Sequence, residues 1–97
     1  MTTVSRFDAS EFLDDDDLVA EYLTAAMEDD NPDVFIAALG DVAKARGMTE
    51  IARASGLGRE SLYKSLRGGS KARFETLHKI VNTLGLKMTI VADRPTP

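Results

Sequence analysis

Residues 48–67 read MTEIARASGLGRESLYKSLR, and this stretch decides the fold. Ala52 stands four residues before Gly56, Leu57 follows that glycine, and Leu62 and Leu66 continue at helical spacing. The pattern predicts two short helices joined by a tight turn. Gly56 supplies a turn conformation that a Cβ disfavours. Ala52 is small enough to let the second helix cross close over the first, while Ile51, Leu57 and Leu62 pack the two together. Such a unit is a helix-turn-helix, which offers one face of its second helix to a DNA major groove. That face carries Arg59, Glu60, Ser61 and Lys64.

Working outward, Thr49 can cap the first of these helices and Gly58 can begin the second. On the N-terminal side, Asn31 is a good N-cap and Pro32 suits a first helical position, so a helix is expected from there to about Arg46, stopped by Gly47. Its apolar set is Phe35, Leu39, Val42 and Ala43. Before it, Leu18, Val19, Tyr22, Leu23, Ala26 and Met27 mark a further helix whose start lies in the aspartate run 14–17, where negative charge complements the helix dipole. On the C-terminal side, Phe74, Leu77, Ile80, Val81 and Leu84 form the stripe of a fifth helix ending at Gly85, with His78 at the boundary of its core. Leu86, Met88 and Ile90 then alternate with Lys87, Thr89 and Val91, which predicts a short strand. A lone strand needs a partner, either the same strand of a second subunit or the sheet edge of another protein.

The net charge of −4 hides a split. Residues 1–40 hold eleven acids against one base, Arg6, for −10; residues 41–97 hold eleven bases against five acids, for +6. The whole-chain charge argues against nucleic acid, but its distribution argues for it, and two halves of opposite sign point to two different partners. With 97 residues the chain suits one domain, and a chain this small leaves a modest stability margin that dimerisation would raise. It has no cysteine, which excludes disulfides, thiolate metal sites and cysteine nucleophiles and fits a reducing cytoplasm. No apolar run reaches the roughly 18 residues of a membrane span, and the N-terminus resembles neither a signal nor a transit peptide. A soluble, cytoplasmic protein is expected.

On the helix-turn-helix reading, Arg59 is suited to fork onto guanine, and Glu60 to accept from cytosine N4 or to orient Arg59. Ser61 and Lys64 share that side of the helix, and Tyr63 beside it is either half-buried with a free hydroxyl or in contact with phosphate. Arg67, Lys71 and Arg73 flank the Gly68-Gly69 loop, where bases just past a recognition helix meet the DNA backbone. Lys44, Arg46 and Arg53 read as general positive field. The aspartate run lacks the glycine and glutamate a calcium loop requires, since Val19 and Ala25 stand at those places, so no metal or cofactor is expected. The single histidine and the missing nucleophile motifs argue against an enzyme.

The run FIAALGDVAKARGMTEIARASGLGRESLYKSLRGGSKARFETLHKIVNTLGLKM, residues 35–88, resembles the HigA-type addiction-module antidote proteins, a branch of the Cro and lambda-repressor-like helix-turn-helix class. ALGDVAKARGM, SLYKSL and TLHKIVNTLGLK are its specific elements, and residues 7–35 resemble that family's N-terminal part. Met48 and Thr49 replace the glutamine that many repressors place here to grip a phosphate; Thr49 has a shorter reach. The resemblance implies a bacterial type II antitoxin that neutralises a RelE/ParE-like toxin and represses its own operon, as a homodimer on a palindromic double-stranded operator. The alternative is a stand-alone prophage-type repressor without a toxin.

The fold expected is all-α: a five-helix, lambda-repressor-like domain with an acidic N-terminal helical extension and a short C-terminal strand. Residues 1–31 would be the acidic arm and helix, 32–91 the helix-turn-helix domain with its strand, and 92–97 a tail. In the acidic part, Phe7, Phe12, Leu13, Asp14, Asp15, Glu21 and Tyr22 are the expected toxin-facing residues, charge steering the encounter and apolar groups supplying affinity. Thr49, Gly58, Arg59, Glu60, Ser61, Tyr63, Lys64, Arg67, Lys71 and Arg73 are the expected DNA-binding set.

Overall fold

The computed structural model describes residues 15–67 and 69–93. They form five helices: α1 (Asp16–Met27), α2 (Pro32–Arg46), α3 (Met48–Ser55), α4 (Arg59–Ser65) and α5 (Phe74–Thr83). Local chemistry sets most of the boundaries. The Asp15 side chain accepts from the Leu18 amide at 3.1 Å and caps α1, with Asp16 and Asp17 in the first turn. Asn31 accepts from the Asp33 amide at 2.9 Å and Pro32 opens α2. Gly47 both ends α2 and precedes α3, so Thr49 is not the cap expected of it: it lies inside α3, exposed, and no side chain caps that helix. Gly47 is the single residue between α2 and α3 and takes the cap position itself, so Thr49 falls inside the helix. Gly56 adopts φ 79°, the left-handed conformation that ends α3 and that side chains with a Cβ resist.

α1 packs on α2, α2 on α3, and α3 on both α4 and α5. One core gathers residues from all five: Val19 and Leu23 of α1, Phe35, Leu39 and Val42 of α2, Ile51 and Ala52 of α3, Leu62 of α4, Ile80 and Val81 of α5. Leu62 and Leu39 are fully buried, and each contributes about 1.5–3 kcal/mol by that burial. Gly40 has a different reason to be glycine. A Cβ there would meet the Leu66 carbonyl oxygen at 3.1 Å, so its absence lets the end of α4 seat against α2.

Two expectations for α5 change. Phe74, placed in the core stripe, is 67% exposed: it is the first residue of α5, at the rim of the core. His78 lies outside the core boundary, exposed and stacked on the Phe74 ring at 5.5 Å. Among the described residues there is no strand: residues 86–93 leave α5 without a ladder, since no second strand exists among them to pair with.

Candidate nucleic-acid interface

α4 presents two faces. Leu62 is buried entirely and Leu66, its C-cap, nearly so, which locks the helix against α3. The helical period then turns Arg59, Glu60, Ser61, Tyr63 and Lys64 outward, and all five are at least partly exposed. Arg59 bonds to Tyr63 and not to Glu60: its guanidinium donates to the tyrosine hydroxyl at 3.3 Å and lies 5.3 Å from the ring centroid. This i,i+4 pairing holds both side chains along the same exposed edge. Tyr63 is therefore neither buried nor free, at 43% exposure.

Two concavities flank α4. One, about 730 Å³, lies toward α2 and is lined by Lys44, Met48, Glu60, Tyr63, Lys64 and Arg67. The other, about 580 Å³, lies toward the start of α5, with Ser61, Lys64, Arg67, Lys71 and Arg73 in its lining. Lys64 and Arg67 border both, so four bases and Lys44 converge around one short helix. The loop after α4 is pinned where its bases emerge: Ser70 donates through its hydroxyl to the Ser65 carbonyl at 2.8 Å and through its amide to the Arg67 carbonyl at 3.0 Å. Sequence reasoning missed Ser70 and read Lys44 only as general positive field. A serine in a glycine loop carries no distinctive signal, and Lys44 reaches the site only through the packing of α2 beside α4.

Gly58 is the N-cap of α4 and Thr49 is exposed on α3, apart from both concavities. Arg53 pairs with Glu50 one turn away. Arg46, read as surface field, points inward instead. It meets Asp16 of α1 at 2.7 Å and the Leu84 carbonyl at 3.4 Å, because the start of α1 and the end of α5 both abut the C-terminus of α2.

In the acidic half, Phe7, Phe12, Leu13 and Asp14 lie outside the described residues. Asp15 caps α1 and Glu21 is exposed. Tyr22 packs partly into the core and donates to Asp41 of α2 at 3.3 Å. Burial, and then the adjacent Asp41 carboxylate, hold its phenol above the ordinary tyrosine range. Leu18 and Met27, expected on the apolar face of α1, are half exposed. Among the described residues no acidic or histidine cluster is arranged to hold a metal, and no helix is long and apolar enough to cross a membrane.

The model of the family described as "Probable addiction module antidote protein" matches residues 3–92. The chain belongs to this family of addiction-module antidotes. It is also similar to an uncharacterized protein of Haemophilus influenzae, 38% identical over 88 residues, a span that covers 91% of each chain. No solved structure matches it. The antidote family is regulatory and non-catalytic.

Proposed function

We propose that this antidote is the antitoxin of a type II module: it neutralises a RelE/ParE-like toxin and, as a homodimer, represses its own operon by binding a palindromic operator. The observation that carries the DNA half is the outward edge of α4, where Arg59, Ser61 and Lys64 stand clear of a buried Leu62 and are ringed by Lys44, Arg67, Lys71 and Arg73. In this reading α3–α4 is a lambda-repressor-like helix-turn-helix. Arg59 reads a guanine edge, the other bases anchor phosphate, and Thr49 and Gly58 border the contact. Tyr63 keeps Arg59 extended along the helix before DNA arrives.

The toxin half rests on the acidic N-terminal region. Glu21, Glu28, Asp29 and Asp30 are exposed, a surface complementary to a basic toxin. The mechanism is occlusion on both sides, with no chemical step.

Binding to the promoter upstream of the gene, measured by fluorescence anisotropy with the Arg59→Ala/Lys64→Ala variant beside the parent, tests the DNA half. Equal affinity of the two would overturn the α4 assignment. Growth rescue from the neighbouring gene's product tests the toxin half. Charge reversal by Glu21→Lys/Glu28→Lys is expected to slow association, whereas deleting α1 would be uninformative because Val19 and Leu23 belong to the core.

A further inference from the structure

Past α5 the chain loses its hydrogen bonds but keeps a pattern. The Leu86 amide donates to the Val81 carbonyl at 3.2 Å; among the described residues, 87–93 form no further backbone hydrogen bond. Exposure nevertheless alternates. Leu86 and Met88 rest half-buried against the core, while Lys87 and Thr89 face out. The apolar face then runs off the domain: Ile90 is 99% exposed. Strand-patterned backbone with unmet amides and carbonyls and an uncovered apolar face is a template for another strand.

The charges select the occupant. Residues directly opposite in an antiparallel pair share a face, so self-pairing keeps apolar against apolar only when even-numbered positions oppose even-numbered ones. Of those registers, the one centred on Ile90 sets Lys87 opposite the partner's Asp93 at both ends of the ribbon. It also puts Met88 opposite Ala92, Thr89 opposite Val91 and Ile90 opposite its own copy. Centring on Thr89 instead sets Lys87 against Val91; centring on Val91 sets it against Pro95. Both leave each charge without its counterpart.

We infer that residues 87–93 pair with the same segment of a second copy of this chain, as an antiparallel ribbon centred on Ile90. Met88 and Ile90 of both copies lie on one side of that ribbon, which Leu86, just before it, makes continuous with the two cores. This packing is what makes a two-stranded ribbon stable in water. The inference deepens the homodimer reading above and rests on it: the strands are the interface that joins the two α4 helices into one operator-binding unit.

The absence of native cysteine makes the register directly testable in the full-length chain. Ile90→Cys places two thiols opposite each other, within the roughly 4.4–6.8 Å Cα spacing of a disulfide. In Met88→Cys the two thiols are offset by four residues, about 13 Å along the ribbon. Mild oxidation is expected to link the first variant rapidly and the second not at all. In sedimentation equilibrium, Lys87→Asp is expected to weaken the dimer about tenfold, and Lys87→Asp/Asp93→Lys to restore it. A monomeric parent chain overturns the inference, as it would if this segment pairs only with a toxin's sheet edge. A dimer in which both cysteine variants react alike overturns the strand pairing and leaves dimeric operator binding standing on another interface.

Discussion

Arg46 at the end of α2 closes a clasp on Asp16 at the start of α1, Nη2 to Oδ1 at 2.7 Å, while its other terminal nitrogen reaches the Leu84 carbonyl beyond α5. One side chain thus ties the start of α1 to the end of α2 and to the residue that follows α5. The two partners are unequal. Arg46 is 21% exposed and Asp16 60% exposed, so water screens the carboxylate far more than the guanidinium. Arg46→Ala also removes a packed aliphatic stem and is expected to cost about 1–2 kcal/mol in urea denaturation. Asp16→Asn should cost less than about 1 kcal/mol. Equal losses would mean the ion pair alone carries the contact.

Gly40→Ala probes the approach of α4 to α2. Its Cβ would press on backbone at Leu66, which gives way less readily than a side-chain tip. A loss of about 1–3 kcal/mol is expected, against the gain Ala ordinarily brings to a helix interior. A stabilised variant in thermal melts would show that the end of α4 moves aside freely.

Tyr22 gives the pH dependence. Its phenol is held above the ordinary value by burial and by Asp41, so in the alkaline range the folded chain keeps a proton that the unfolded chain releases. Stability tied to this group is whole below about pH 10 and is lost as pH rises through the folded value. Tyr22→Phe is expected to flatten the alkaline limb of a stability-pH curve measured by denaturant titration between about pH 8 and pH 11. A limb as steep as the parent's would assign it to other groups.

The helices were legible in the sequence because their punctuation is local. Asn31-Pro32, Gly47 and Gly56 act within a few residues of themselves, and the apolar periods of α2 and α4 named their buried sides. Direction along a surface was less legible. Phe74 has the right period for the core but sits at its rim, two-thirds exposed, and Arg46 has the composition of surface charge but the position of a clasp. Gly40 lay in view within an apolar helix, and a glycine there signals a close neighbour without naming it. The partner of Arg59 depended on rotamer choice: sequence offered Glu60 beside it, while the helix puts Tyr63 one turn on, within reach. The strand pattern of residues 86–91 was readable, but the described residues contain nothing for it to pair with.

The Arg59–Tyr63 pair supplies the sharpest test of the proposed interface, because it separates contact from preorganisation. If Arg59 reads a base edge, Arg59→Ala removes a bidentate contact and should cost about 1–3 kcal/mol in operator affinity, with specificity relaxed at one base pair of each half-site. Tyr63→Phe keeps the ring under the guanidinium and deletes only the hydroxyl acceptor. It should weaken operator binding by less than about 1 kcal/mol without changing sequence preference. Lys71→Ala, on the loop pinned by Ser70, should weaken operator and unrelated DNA equally and lower the slope of log affinity against log salt by about 0.9 for the phosphate lost. Anisotropy titrations on both DNAs across a salt series measure all three. If Arg59→Ala instead weakens both DNAs equally and lowers the salt slope as Lys71→Ala does, Arg59 is a phosphate anchor, and base reading must be sought on Ser61 and Lys64.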